Sequence, residues 1–172
     1  MSASPIDRFT RSLEDLDVAV TWTDPSGSAE TIETIVEPPC VGTPLPFDDV
    51  SVPDVVDTEP TPRSLEAAQT TVTAASMGIG AYGSVVLPSR PDGSEQVSLF
   101  TDLHVPVVRE SDIVDSMADA IDQLGPRLRD GESAIIATGP SATADMGALV
   151  RGAHGPKEVH VVILSTDTEG GQ

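Results

Sequence analysis

The strongest constraint on this chain is the alternation of short apolar runs with helical spacing between residues 104 and 164. Residues 104–108 (HVPVV), 133–138 (SAIIAT) and 158–164 (EVHVVIL) are brief and largely apolar, as in strands covered on both faces. Between the first two, Ile113, Val114, Met117, Ile121 and Leu124 fall on one helical face and Asp112, Asp115, Asp119 and Asp122 on the other. Ser111 is the expected cap of that helix and Gly125-Pro126 its expected stop. A shorter helix is expected over residues 144–151. Strand, helix, strand, helix, strand predicts an α/β fold with a mostly parallel sheet flanked by helices.

The upstream half is consistent with this. Phe9, Leu13 and Leu16 have helical spacing within residues 5–16, residues 17–23 (DVAVTWT) alternate like a strand, and residues 28–36 predict a short helix. The proline-rich stretch 38–62 admits short strands and rigid loops but no long helix. One or two helical turns at 64–69 lead into TTVTAAS. The turn chemistry of Pro91-Asp92-Gly93 predicts a hairpin within residues 82–100. One domain spanning 1–172 is expected, with its core at about 6–165 and a short flexible tail at 166–172.

Charge decides which partners are plausible. The chain carries 28 acidic and 9 basic residues, a formal net charge of −19, and Lys157 is its only lysine. The acids are spread along the whole sequence, so they describe a surface and not a tail. At molar salt the screening length falls to about 3 Å and such self-repulsion is largely removed. A salt-adapted organism, a haloarchaeon, is the expected source. Nucleic acid is an unsuitable partner, because phosphate neutralisation needs clustered Lys and Arg. With no apolar stretch of membrane-spanning length and no signal-peptide pattern at the N-terminus, a cytoplasmic location without membrane insertion is expected.

Several residue groups carry chemistry. Cys40 is the only cysteine, so this chain alone holds no iron-sulfur cluster, and the thiol reads as a small buried hydrophobe. Gly78 to Gly83 (GIGAYG) satisfies G-x-G-x-x-G, but the residues that follow read as a strand where a dinucleotide cradle needs a helix. Ser141, Asp145 and His154 have the residue types of a hydrolytic triad without the nucleophile-elbow pattern. No metal site is expected from His154 and His160, which lack a third ligand.

The stronger reading of 139–143 is an anion site at a strand end and helix N-terminus. There Gly139 would offer backbone N–H groups, and Ser141 and Thr143 their hydroxyls. His104 is expected either to be a core histidine or to join that site. Asp145 and His154 are the acid-base candidates.

The segment from 138 to 164, TGPSATADMGALVRGAHGPKEVHVVIL, closely resembles the LUD-domain family of lactate utilisation protein C. Thr138, Gly139, Pro140, Ser141, Thr143, Ala144, Asp145, Gly152, His154, Gly155 and Pro156 match its T-G-P-S-R-T-A-D and G-x-H-G-P pattern in order. A weaker likeness extends upstream through AYGSVVL and VSLFTDLHVPVV, and His104 matches a family position.

The resemblance implies a fold like that of the ribose-phosphate isomerase, glucosamine-phosphate deaminase and CoA-transferase group. It also implies an accessory role in the oxidation of L-lactate to pyruvate, with binding of a small carboxylate or other anionic ligand. The partners would be iron-sulfur lactate-oxidation proteins, with the clusters on those chains and no cofactor on this one. Its second implication is an enzyme or binding protein for a sugar phosphate or acyl-CoA, with the anion at 139–143. This sequence departs from the pattern at Ala81, Tyr82, Ala142, Met146 and Gly147, which implies an altered or lost activity wherever those positions touch ligand.

Overall fold

The computed structural model describes residues 3–145 and 147–165; the expected tail at 166–172 lies outside them. The chain opens with helix α1 (Pro5–Asp15), started by a reciprocal cap in which the Asp7 amide donates to the Ser4 hydroxyl and the Ser4 amide donates to the Asp7 carboxylate. Strand β1 (Ala19–Thr23) and helix α2 (Ser28–Ile35) follow as the spacing predicts. The proline-rich stretch yields only two short strands, β2 (Cys40–Gly42) and β3 (Val56–Asp57), before helix α3 (Pro62–Ala67) and strand β4 (Thr70–Ala74).

Next come β5 (Met77–Ile79), β6 (Ser84–Pro88), helix α4 (Ser94–Val97), β7 (Leu103–Arg109), β8 (Ile113–Val114) and helix α5 (Met117–Arg129). The chain then forms β9 (Ala134–Thr138), β10 (Ala142–Asp145), β11 (Ala148–Arg151) and β12 (Glu158–Leu164).

Six strands form one wholly parallel sheet in the order β1-β12-β7-β4-β2-β3. Its central strands are covered on both faces, which is why they read as apolar runs. Alternation sorts their side chains. Val108, Val159, Val161 and Ile163 face Phe9 and Leu13 of α1 and Val85 and Leu87 of β6, whereas Val105, Val107, Val162 and Leu164 face Ile32, Cys40 and Leu45. The ladder between β7 and β12 skips Val105 and Pro106, consistent with a proline that has no N–H to donate.

A second sheet, β8-β5-β6-β9, lies against the α1 side, and α5 covers its far face through Ala120 and Leu124. The fold is therefore α/β with a mostly parallel central sheet, as the sequence predicts.

Four local expectations are corrected. No hairpin forms at Pro91-Asp92-Gly93. Gly93 turns at φ +75°, the Asp92 carboxylate accepts from the Ser94 amide, and a single helical turn begins. Strand β6 pairs instead with β5 through the GIGAYG turn, where Gly83 has φ +63°, and with β9 on its other side.

Helix α5 starts five residues later than expected, capped by Ser116 with Asp119, because Ile113 and Val114 are used as a strand beside Gly78 and Ile79. It also runs through Gly125-Pro126 to Arg129, stopping just before Gly131 at φ +92°, and Ile121 faces outward. Strand β9 is an antiparallel edge strand of the small sheet and only half-buried, not a buried member of the parallel sheet.

The largest correction concerns residues 144–151, which form a β-hairpin and not a helix. Asp145 pairs with Ala148, leaving a two-residue connection in which Gly147 adopts φ +81°. A left-handed glycine in such a short connection favours a hairpin over the alanine-rich helical pattern.

Candidate functional site

A cleft of about 450 Å³ opens between the two sheets. Leu13, Val85, Ile135, Ala137, Val159 and Val161 give it apolar walls, and residues 138–142 and the turn at 154–156 close one side. Of the residues proposed from sequence, Gly139, Ser141, His104 and His154 come together here. Thr143 lies on β10 away from the cleft lining, and the side chain of Asp145 lies outside the described residues.

The glycines and proline of the quoted motif have specific structural roles. The Ser141 amide donates to the Pro156 carbonyl at 2.8 Å, and the Gly152 amide donates to the Ser141 carbonyl at 2.9 Å, so the two loops are tied back to back. A Cβ on Gly155 would stand 3.0 Å from the Ser141 Cβ, which is why no side chain is tolerated easily there. Gly139 and Gly152 turn at φ +62° and φ +76°. The motif therefore sets Ser141 against the turn that carries His154.

His104 is the second residue of β7 and is buried. Its Nε2 and the Thr73 hydroxyl share a hydrogen bond of 2.8 Å, and burial lowers the imidazole pKa to about 4, so it is neutral at ordinary pH. Beside it Thr71 meets Thr101 at 2.7 Å and donates to the Val97 carbonyl at 3.2 Å. These threonines were missed in the sequence, where TTVT signals only a strand; the polar alternate positions, Thr71 and Thr73, carried the hint.

His154 is exposed on its turn. His160 points elsewhere, meeting the Thr21 hydroxyl at 2.7 Å at a neighbouring cleft, and partial burial lowers its pKa. The two histidines thus serve different surfaces. Among the described residues no three of His, Cys, Asp and Glu are gathered where a metal ion could sit. Cys40 is buried in β2 and burial raises its thiol pKa.

The helix N-terminus expected to hold the anion is not formed. Residues 139–143 lead into a β-hairpin, so no helix dipole or free first-turn amides face a ligand, and the Ser141 amide is already committed. The described residues lining the cleft include no Lys, Arg, Asp or Glu. Its position also differs from the usual C-terminal strand edge of open α/β sheets. It sits at the end of β9, yet beside the first residues of β7 and β12.

Residues 26–164, which include every part of the cleft except Leu13, match the LUD domain family. The chain belongs to the LUD-domain family. Among curated relatives, this LUD domain is 32% identical over 127 residues to lactate utilization protein C of Deinococcus radiodurans, covering 72% of this chain and 59% of that one. It is 31% identical over 108 residues to the protein of that name from Bacillus subtilis, covering 60% of this chain and 45% of the other. The Bacillus licheniformis protein of the same name is 36% identical over 104 residues, with 58% and 43% covered.

The LUD domain thus spans about half the length of the curated relatives it matches. A crystal structure of a DUF162 family protein from Deinococcus radiodurans superposes with a TM-score of 0.73 at 20% identity, covering 95% of this chain and 99% of that one. That likeness shows the fold. Among the described residues no helix is long and apolar enough to cross a membrane.

Proposed function

We propose that this LUD domain is an accessory component of L-lactate utilisation, supporting oxidation of L-lactate to pyruvate by partner chains that carry iron-sulfur clusters. The observation that carries the reading is the family match over residues 26–164 together with three relatives that share the name lactate utilization protein C. The single cysteine supports placing the clusters elsewhere, since this chain lacks the thiolates to hold one. The sugar-phosphate and acyl-CoA reading has no comparable support, because the cleft offers no Lys or Arg among the described residues.

A deletion strain tests the proposal. Growth should fail on L-lactate, persist on pyruvate and return with the intact gene. Equal growth of the deletion strain on both carbon sources would remove the assignment.

The net charge of −19 supports a salt-rich cytoplasm as the place where the protein works. The thermal midpoint should then rise as KCl is raised from low concentration to molar, as self-repulsion is screened. A midpoint that stays level or falls would count against salt adaptation.

A further inference from the structure

The ligand of the cleft can be argued from its lining alone, independently of the lactate reading. Its volume of about 450 Å³ lies in the range that buries ring-sized organic molecules and is far more than a small hydroxy acid fills. Its described lining mixes apolar side chains with hydroxyl, imidazole and backbone groups and includes no Lys, Arg, Asp or Glu. Arg151 and Lys157 belong to a neighbouring cleft that shares only Pro140 and Val159 with this one, and they already face Asp17 and Asp102. An anion entering the main cleft would lose hydration without gaining a fixed counter-charge.

The polar atoms left over are few and specific. Ser84 and Thr138 share one hydrogen bond of 2.7 Å, which uses one of their two hydroxyl protons, and the Ser98 hydroxyl donates to the Glu95 carbonyl. His104 has one ring nitrogen held by Thr73. Among the described residues, its second ring nitrogen, the Ser141 hydroxyl, the His154 ring and the remaining proton of the Ser84–Thr138 pair are the side-chain groups that can meet a ligand. The neutral state of the buried His104 fits it to exchange a hydrogen bond, not to balance a negative charge.

We propose that the cleft binds an uncharged, ring-sized organic molecule, its apolar body against the walls from β6, β9 and β12 and its hydrogen-bonding atoms toward His104, Ser141 and His154. The described lining offers a ligand apolar side chains from Leu13, Val85, Ile135, Val159 and Val161 and the polar groups of His104, Ser141 and His154, with no Lys, Arg, Asp or Glu among them.

Titration calorimetry of the full chain in molar KCl tests this with a matched pair, 2-naphthol and 2-naphthoate, which share a ring system and differ in charge. L-Lactate and inorganic phosphate complete the set. 2-Naphthol should bind saturably and about tenfold or more tighter than 2-naphthoate, since a carboxylate must be desolvated without a partner. Ser141→Ala and His154→Ala, both outside the core, should each weaken 2-naphthol by roughly fivefold while the thermal midpoint holds. Tighter binding of 2-naphthoate, L-lactate or phosphate would overturn the proposal, as would equal binding of 2-naphthol by all three proteins or no saturable binding at all. The growth test of lactate utilisation is a separate readout, so either reading can fail without the other.

Discussion

Strands β7 and β12 and the hairpin β10–β11 are close in sequence and opposite in construction. In the strands Val105, Val107, Val162 and Ile163 have no exposed surface, whereas Leu149 in the hairpin is 69% exposed. The strands are held by packing on two faces. The hairpin forms its own two-stranded sheet, and Ser141 and Gly152 at its base join it to the cleft through hydrogen bonds. A two-stranded hairpin is marginal by itself. Motif residues Thr143, Ala144 and Asp145 lie in this hairpin and Gly139, Ser141, His154 and Gly155 in the loops beside it, whereas the buried strand residues Val159 and Val161 contribute walls to the cleft. The contrast teaches that position in the motif and contribution to folding are separable here.

The comparison can be broken most forcefully in the core. Ile163→Ala removes a fully buried side chain and should cost about 2–5 kcal/mol, read as a lower denaturant midpoint with little change in slope. A loss below about 1 kcal/mol would mean that the two-sided packing is not what holds the sheet.

Acid probes the same layer through His104. Its folded pKa of about 4 lies below the ordinary 6.5, so the unfolded chain takes up a proton that the folded chain refuses. Stability from this group is complete above pH 6.5 and is lost as pH falls toward 4, by roughly 3 kcal/mol in all. His160 acts in the same direction. Unfolding measured between about pH 7 and pH 4 should show a shallower loss in His104→Gln than in the wild type. Parallel profiles would remove His104 as the buried neutral group.

Gly42→Ala should have a smaller effect. The added Cβ would lie 2.6 Å from the Val72 carbonyl oxygen of the adjacent strand, and the resulting shift should cost roughly 1–3 kcal/mol. An unchanged midpoint would show that β2 and β4 separate more freely than the register suggests. At the other end of the scale, Leu149→Ser in the hairpin should alter stability by no more than about 0.5 kcal/mol. A large loss would mean that the hairpin is packed and not projecting.

Much of this architecture was legible in the sequence, and the failures have physical causes. The strands around Val107 and Val162 and the helix around Phe9 and Leu13 follow from periodicity that packing reinforces. Residues 144–151 misled because Ala, Leu and Arg favour a helix, while Gly147 and pairing across the turn decide for a hairpin. Ile113 and Val114 misled because an apolar pair suits a helix face and a sheet edge equally, and only their partners, Gly78 and Ile79, settle which.

At the site, Gly139, Ser141 and His154 of the motif line one cleft, and His104, left open between core and site in the sequence, is buried and lines it too. The motif did not reveal Thr73 or the apolar walls, since those come from strands distant in sequence. It also suggested a helix N-terminus after Gly139, where residues 142–145 form β10 instead.

The most direct test of the separation between motif and core is the double variant Ser141→Ala/His154→Ala, expressed in the deletion strain and purified in parallel. Growth on L-lactate should not return, while the thermal midpoint stays within about 2 °C of the wild type, as expected for substitutions outside the core. Full rescue on L-lactate, or a collapse of the fold accompanying the loss of rescue, would contradict the account.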